Sequence, residues 1–273
     1  MFKGQIIWIT GASSGIGEAL AKQLARKGAS LILSGRNVSA LERVAEACGK
    51  TSHLILPFET TDMDKLPEIV ARAKEWKGRI DMLVNNAGIS QRSLAIDTQM
   101  AVYDKIIDVD LRAPIALTQL VLPHMATHQS GRLVFISSVA GKVGVPMRTA
   151  YCAAKHGLIG YADALRAEVA GLGIQVHVIT PGSIKTNVSR NALEADGSRR
   201  GVSDAAIDKG ILADTAAATM VRAIARGQRE ILVARGIERT MPRLRRLSPN
   251  KLFDMIAAMM TAGYAQRMKG EQQ

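Results

Sequence analysis

Tyr151 and Lys155 have the types and the spacing needed for acid–base chemistry at an oxygen atom. They are four positions apart in a stretch, from Thr149 onward, whose pattern predicts a helix, so both side chains lie on one face. A free tyrosine has a pKa of about 10 and is a poor base at neutral pH. A neighbouring lysine cation stabilises the phenolate and lowers that pKa, so Tyr151 can exchange a proton with a carbonyl or alcohol oxygen. Ser138, after the preceding predicted strand, can hydrogen-bond the same oxygen.

A glycine-rich turn near the start of the chain predicts a dinucleotide site. The apolar run 6–9 predicts a buried strand, and residues 18–25 predict a helix. Between them, Gly11 allows a sharp turn, while Gly15 and Gly17 leave room for a pyrophosphate and for close packing of helix on strand. The free N–H groups and positive end of the helix then face the phosphates. The alternative is a tight turn without a ligand, which the order of strand, glycines and helix disfavours.

Arg36 predicts which dinucleotide binds. It follows a second predicted strand, 30–34, whose end normally faces the adenosine ribose, and no acid follows that strand. A carboxylate at this place would bind the ribose 2′-hydroxyl of NAD, whereas a guanidinium suits the 2′-phosphate of NADP. We therefore expect NADP(H), with Ser14 as a second ligand of the phosphate. The alternative is that Arg36 is one of many surface arginines.

The elements that must position these residues alternate along the chain. This order predicts an α/β fold, a Rossmann-type doubly wound parallel sheet of about seven strands in a single domain. Residues 1–234 would form the catalytic domain, with a substrate loop at 183–211, and residues 235–273 a basic helical extension, named the C-terminal extension below. Strands are predicted at 6–9, 30–34, 53–56, 81–84, 131–136, 175–179 and 230–233.

Three details of the helices are also predicted. Residues 98–128 would form a long helical stretch, kinked at Pro114 and ending near Pro123. Thr61 or Asp62 would cap the helix that runs to about residue 76.

Composition limits the class of protein. The 273 residues are 47% hydrophobic, enough for a sizeable core, and the two cysteines have neither disulfide nor zinc spacing. We predict no metal site, signal peptide or membrane-spanning run, and a cytoplasmic location. The net charge of +12 suggests an anionic partner: a phosphorylated cofactor, an anionic membrane face or nucleic acid. Nucleic acid is disfavoured because the basic stretch lacks interleaved aromatic residues.

Three motifs together resemble the short-chain dehydrogenase/reductase family over residues 5–233. They are the Gly11–Gly17 turn, the Asn85-Asn86-Ala87-Gly88 turn, and Ser138 thirteen residues before Tyr151. The resemblance implies hydride transfer between a nicotinamide and a carbonyl or alcohol carbon. Tyr151 would be the acid/base, Ser138 would orient the substrate oxygen, and Lys155 would lower the pKa of the tyrosine and hold the nicotinamide ribose.

The cofactor site is expected from the residues and the resemblance together. The resemblance places Glu59, or failing that Asp62, near the adenine amino group and Thr186 near the carboxamide or the phosphates. The expected cofactor ligands are Gly11, Ser13, Ser14, Gly15, Ile16, Gly17, Arg36, Glu59, Asn86, Ala87, Gly88, Tyr151, Lys155, Pro181, Gly182, Ile184 and Thr186.

Asp110 departs from the resemblance and is a fourth candidate catalytic residue. The family commonly has an asparagine here, whose main chain holds a water that links the lysine to solvent. Asp110 is close to isosteric, so the water can still bind through the main-chain carbonyl. Alternatively, the ionised carboxylate favours the Lys155 cation and alters the pH profile.

The substrate and partners are predicted more coarsely. Residues 181–198 resemble a subgroup of animal enzymes that act on retinoids and steroids, whose N-terminal membrane anchor we do not expect here. This implies a hydrophobic carbonyl or alcohol substrate, and the family implies a homodimer or tetramer. An NAD-linked alcohol dehydrogenase and a cofactor-binding module with little turnover are the alternatives. The C-terminal extension could cap the pocket, form a subunit interface or contact a membrane peripherally.

Overall fold

A parallel sheet organises the protein, for which a computed structural model describes residues 2–270. Within those residues the sheet has seven strands in the order β3-β2-β1-β4-β5-β6-β9, all paired in parallel. The predicted doubly wound fold is confirmed. The strands are β1 (Ile6–Thr10), β2 (Ser30–Ser34), β3 (His53–Ile55), β4 (Met82–Asn85), β5 (Gly131–Ile136), β6 (Ile174–Pro181) and β9 (Glu230–Val233), and a separate pair is formed by β7 (Ile184–Lys185) and β8 (Ile211–Leu212).

Helices cover both faces of the sheet because alternate residues of each strand point to opposite sides. In β1, Ile7 and Ile9 pack with α1 and α8, whereas Trp8 packs with α3, α5 and α6 on the other face. Because both of its faces are covered, the central strand β1 is apolar and buried from Ile6 to Ile9. The helices are α1 (Gly15–Ala25), α2 (Val38–Ala47), α3 (Leu66–Glu75), α4 (Met100–Ile107), α5 (Ala113–Thr127), α6 (Thr149–Glu168), α7 (Ala205–Asp208), α8 (Ala213–Ala225), α9 (Gly236–Leu247), α10 (Pro249–Thr261) and α11 (Tyr264–Gly270).

The long helical stretch differs from the prediction. A π-helical turn, Asp108–Arg112, separates α4 from α5, and Pro114 lies in the first turn of α5. A proline is tolerated there because its missing N–H would have had no helical partner. The predicted end near Pro123 is wrong, since α5 continues to Thr127. Val121 and Met125 on either side of Pro123 are fully buried, and this packing offsets the lost hydrogen bond.

The predicted cap of the third helix is confirmed in its position, Asp62, but not in its hydrogen bonding. A 3₁₀ turn, Met63–Lys65, precedes α3, and Asp62 makes no capping hydrogen bond. Its carboxylate instead pairs with Lys65 at 2.6 Å. The Lys65 side chain, three positions later in the sequence, thus takes the carboxylate that would otherwise accept from a backbone N–H of the first turn.

The C-terminal extension folds back onto the protein through α9, α10 and α11. Leu252 in α10 is fully buried and Met268 in α11 is nearly so, whereas no residue of α9 is. Among residues 2–270, no helix has both the length and the apolar character needed to cross a membrane.

Candidate active site

A cleft of about 630 Å³ opens at the carboxyl ends of β1, β4, β5 and β6, where the strand order reverses direction. Ligands of doubly wound sheets bind at this topological switch point. The predicted catalytic residues Ser138, Tyr151, Lys155 and Asp110 all line it. So do the predicted cofactor ligands, with the exception of Gly15 and Gly17.

Gly17 does not line the cleft but allows the glycine turn to pack closely. A Cβ on Gly17 would lie 2.2 Å from the Gly11 carbonyl oxygen, so α1 can approach the turn only without a side chain there. Gly11 has φ of 63°, and its own Cβ would lie 2.8 Å from the Cα of Ala87. The N-cap residue Ser14 makes no side-chain hydrogen bond to the first turn of α1. The helix terminus therefore remains available to a phosphate group.

Hydrogen bonds from Thr10 and Asn86 fasten the glycine turn to the turn after β4. The Thr10 hydroxyl oxygen accepts from the backbone N–H groups of Asn86 and Ala87, both at 3.0 Å. The Asn86 amide donates to the carbonyl oxygens of Thr10 at 2.9 Å and Gly11 at 3.1 Å. These hydrogen bonds hold the two turns together as one surface of the cleft. The sequence indicated Asn86 but not this role of the Thr10 hydroxyl.

Tyr151 and Lys155 lie one turn apart on α6, as their spacing predicts. The Lys155 ammonium nitrogen is 5.7 Å from the centre of the Tyr151 ring and donates to the Ile136 carbonyl oxygen at 3.1 Å. Ser138 ends the segment after β5. Its Oγ accepts from the Ala140 N–H at 3.1 Å and donates weakly, at 3.4 Å, to the carbonyl oxygen of Pro181, the last residue of β6. A hydroxyl, a phenol and a cation therefore converge in one cleft.

Asp110 is fully buried in the π-helical turn and contacts Lys155 directly. Its Oδ2 lies 3.2 Å from Lys155 Nζ, and its Oδ1 accepts from the Ile89 N–H at 2.8 Å. Burial raises the pKa of Asp110, although the Lys155 cation opposes this shift. Burial alone would lower the pKa of Lys155, but the charges of Asp110 and Tyr151 outweigh it and raise that pKa. The carboxylate therefore favours the charged lysine.

The structure pairs two residues that the sequence assigned to separate roles. Arg36 Nη1 lies 3.3 Å from Glu59 Oε2, and both side chains are solvent-exposed at the rim of the cleft. An acid from the segment after β3 thus reaches the guanidinium expected to bind a 2′-phosphate. The sequence indicated Glu59 as a partner of the adenine and gave no sign of its contact with Arg36.

The segment after β6 completes the cleft. The Gly182 N–H donates to the Val233 carbonyl oxygen at 3.0 Å, and Ile184 lies in β7. A Cβ on Gly15 would lie 3.1 Å from the Thr186 side chain. The apolar residues Val188, Leu193 and Ile207 of the substrate loop also line the cleft.

A buried group of charges fixes the substrate loop and was not predicted. Asp204 pairs with Arg92 at 2.5 Å, with Arg148 at 3.2 Å and with Arg200, and we name these four residues the arginine cluster. Burial lowers the pKa of Arg92 to about 10. Burial would raise the pKa of Asp204, but hydrogen bonding to Arg92 and the charges of the other arginines lower it. The cluster joins the loop after β4, the approach to α6 and the substrate loop.

Comparison with known proteins decides the family. The family model described as short chain dehydrogenase matches residues 5–197. The chain belongs to the short-chain dehydrogenase/reductase family. The predicted family is therefore confirmed, and with it an oxidoreductase whose family binds a nicotinamide cofactor.

Relatives of this family member include dehydrogenase/reductase SDR family member 7B of Xenopus tropicalis. It is 36% identical over 262 residues, which cover 93% of this chain and 84% of the relative. This animal enzyme accords with the subgroup that residues 181–198 resemble.

Solved structures agree with the fold. A short-chain dehydrogenase/reductase from Burkholderia phymatum in complex with NAD has a TM-score of 0.81 at 22% identity, covering 90% of this chain and 94% of its own. A metagenomic short-chain oxidoreductase in complex with NADP has a TM-score of 0.70 at 28% identity, covering 85% and 97%. The neighbours thus include complexes with both cofactors.

The cleft fits a nicotinamide dinucleotide by its own features. Side chains at Gly11 and Gly17 would clash with neighbouring backbone, and the α1 terminus carries no side-chain cap. Among residues 2–270, no group of three or more His, Cys, Asp or Glu side chains is arranged to hold a metal ion.

Proposed function

We propose that this oxidoreductase transfers a hydride between NADP(H) and a hydrophobic carbonyl or alcohol, with Tyr151 as the acid/base. The observation that carries the proposal is the convergence of Tyr151, Lys155 and Ser138 on one cleft, with Lys155 Nζ 5.7 Å from the Tyr151 ring. The bound nicotinamide supplies or accepts the hydride. The residues of the chain hold the substrate oxygen and move the proton.

In the direction of reduction, the Tyr151 hydroxyl gives its proton to the carbonyl oxygen while the carbonyl carbon gains the hydride. The Lys155 cation stabilises the phenolate that remains, and the Ser138 hydroxyl hydrogen-bonds the same substrate oxygen. Oxidation of an alcohol runs these steps in reverse. Asp110 acts through Lys155, since its carboxylate is 3.2 Å from the ammonium and buried.

Arg36 supports NADP(H) as the cofactor. Its exposed guanidinium lies at the rim of the cleft, where a planar fork of donors can bind the 2′-phosphate, and Ser14 lines the same cleft. NAD(H) is the second candidate, favoured by the Glu59 carboxylate 3.3 Å from Arg36. An anion at this distance repels a 2′-phosphate and can accept from a ribose hydroxyl.

The walls of the cleft support a hydrophobic substrate. Val188, Leu193 and Ile207 face it from the substrate loop, and Leu193 packs beside Tyr151 in a small apolar cluster. The proposed enzyme is a cytoplasmic homodimer or tetramer. We also propose that its C-terminal extension contacts membranes peripherally. The exposed Ile237 and Leu247 of α9 among its arginines are the observation behind that contact.

Two measurements test the proposal. Fluorescence titration with NADPH and NADH should show NADPH preferred by the wild type, with the preference lost in Arg36→Ala and kept in Arg226→Ala, an exposed arginine outside the cleft. Equal binding of both cofactors, unchanged by Arg36→Ala, would refute Arg36 as the selector and favour the NAD-linked enzyme.

Turnover tests the role of Tyr151. With apolar aldehydes or ketones, Tyr151→Phe should lower kcat by about 10²–10⁴-fold, the contribution typical of a positioned acid/base. Tyr161→Phe is the matched control, since Tyr161 lies on α6 but outside the cleft, where its hydroxyl accepts from Gln119. Equal rates in the two variants would rule Tyr151 out as the acid/base. Tight binding without turnover in the wild type would favour the binding module.

A further inference from the structure

Glu238, in the first turn of α9, binds the segment that closes the cleft. Its Oε2 accepts from the Ser183 N–H at 2.8 Å, and its Oε1 accepts from the Ser183 hydroxyl at 2.6 Å. Both oxygens of one carboxylate are thus used on one residue, 55 positions earlier in the chain. Hydrogen bonds to an ionised group are shorter and stronger than neutral ones.

The fit at this contact is close. A Cβ on Gly182 would lie 2.2 Å from Glu238 Oε2, so the carboxylate occupies the space that a side chain at 182 would need. The Ser183 carbonyl oxygen accepts from the Ile211 N–H at 2.9 Å. Ser183 is therefore held on both sides, by the C-terminal extension and by β8.

The segment held in this way is part of the cleft. Pro181, Gly182 and Ile184 all line it, and the Pro181 carbonyl oxygen lies 3.4 Å from the Ser138 hydroxyl. Any shift of Ser183 displaces Gly182 on one side and Ile184 on the other. The Glu238 carboxylate does not line the cleft, but it holds in place the residues that form the wall next to Ser138.

Charge composition sets Glu238 apart. It is the single acid in residues 235–251, a stretch that holds Arg235, Arg239, Arg243, Arg245, Arg246 and Lys251. An acid among so many basic residues has ready ion-pair partners, yet both of its oxygens are directed to Ser183. The extension is also fixed to the substrate loop at its far end, where the Met268 carbonyl oxygen accepts from Arg200 at 2.9 Å.

We infer that Glu238 is a positioning residue for the cofactor, and that the C-terminal extension is therefore a working part of the cleft. Glu238 lies outside residues 5–197, which the family model matches. The inference rests on the proposed function, because it assigns the segment after β6 to a nicotinamide cofactor. Loss of the carboxylate would free Ser183 and weaken cofactor binding, with a smaller effect on the chemical step.

Titration of full-length variants with NADPH and NADH tests this role. Glu238→Ala should raise the Kd of the preferred cofactor about tenfold, the effect of losing charge-assisted hydrogen bonds. Glu238→Gln can accept from the Ser183 N–H and donate to its hydroxyl, so it should restore binding to within about threefold. Glu230→Ala is the matched control, since it removes an exposed carboxylate that pairs with Lys142 outside the cleft.

Ser183→Ala tests the same contact from the other side. It removes one of the two hydrogen bonds and should weaken binding less than Glu238→Ala, and the two effects should not add in the double variant because they act on one contact. The KM for the cofactor should rise in both variants while kcat stays within about twofold, the pattern of lost ground-state binding.

Three results would overturn the inference. One is unchanged cofactor binding in both Ser183→Ala and Glu238→Ala, and another is an equal loss of binding in Glu230→Ala. The third is a fall in melting temperature without a change in Kd, which would mark a purely structural contact. Failure of the wild type to bind either dinucleotide would instead refute the proposed function, and the inference with it.

Discussion

Replacing Asp110 by asparagine isolates the charge of its contact with Lys155. The asparagine oxygen can still accept from the Ile89 N–H, so the shape and one hydrogen bond remain while the anion is lost. Two unit charges 3.2 Å apart attract by about 5 kcal/mol at an effective dielectric constant of about 20. Breaking a buried ion pair from one side costs about 3–5 kcal/mol, because the remaining charge stays buried.

We therefore expect the melting temperature of Asp110→Asn to fall by roughly 10 °C at pH 7.5. Asp108→Asn is the control, because Asp108 lies in the same π-helical turn but forms a partly exposed pair with Arg112. Exposed pairs contribute about 0–1 kcal/mol, so this control should move the melting temperature by no more than roughly 3 °C. Differential scanning calorimetry measures both.

The pH dependence has a definite sign. The pKa of Lys155 is raised above its ordinary value of 10.5, so its stabilising contribution is complete below pH 10.5 and is lost as pH rises through the folded-state value. In Asp110→Asn burial prevails and lowers the pKa of Lys155, so that stability rises with pH up to 10.5. The difference in melting temperature between the wild type and Asp110→Asn should therefore become smaller as pH increases from 7.5.

Two results would refute this reasoning. One is a melting temperature of Asp110→Asn equal to that of the wild type at pH 7.5, and the other is a constant difference between pH 7.5 and 10.5. A pH–rate profile for carbonyl reduction extends the test to the site. An unmoved profile in Asp110→Asn would show that the carboxylate does not influence proton transfer, which leaves the near-isosteric role.

Further predictions concern charge and space in and around the cleft. Because the pKa of Asp204 is lowered, its contribution to stability is present above its ordinary pKa of 3.8 and is lost as pH falls below it. Asp204→Asn should therefore lower the melting temperature at pH 7 and abolish part of the acid sensitivity, and equal acid unfolding in variant and wild type would contradict this. Glu59→Gln removes the anion beside Arg36 and should tighten NADPH by a few-fold relative to NADH in a fluorescence titration; equal changes for both cofactors would contradict the pairing. Gly17→Ala places a Cβ 2.2 Å from the Gly11 carbonyl oxygen and should abolish binding of either dinucleotide in the same assay, whereas retained affinity would contradict the need for close packing.

The sheet could be predicted from the sequence because its strands are buried on both faces. Runs such as 6–9 and 133–136 are continuously apolar and buried, and each is followed by turn residues. The glycine turn and the spacing of Tyr151 and Lys155 were equally visible, since each lies within a short local stretch. Motifs whose residues are close together in the sequence can be recognised before the fold is known.

Contacts between distant segments could not be predicted. Asp204 meets Arg92 over 112 positions, and neither residue belongs to a motif. Glu238 was conspicuous as an acid in a basic stretch, but nothing in the sequence indicated Ser183 as its partner. The π-helical turn was not predicted for another reason. One extra residue in a helical turn shifts the phase of the helix, but it changes the apolar pattern too little to be recognised in the sequence.

The strand order also determines when the cofactor site can form during folding. Strand β1 emerges first, but its partner β4 follows some 75 residues later, and the Thr10 hydroxyl reaches Asn86 only after that pairing. The hydrogen bond from the Gly182 N–H to Val233 can form only later, because Val233 lies in the last strand. Parallel pairings of this separation form slowly, because loop entropy must be overcome before the contacts form. Strands from β1 to β9 therefore have to be paired before the cleft is complete, so a ligand that binds only the complete cleft would stabilise the finished fold relative to incomplete ones.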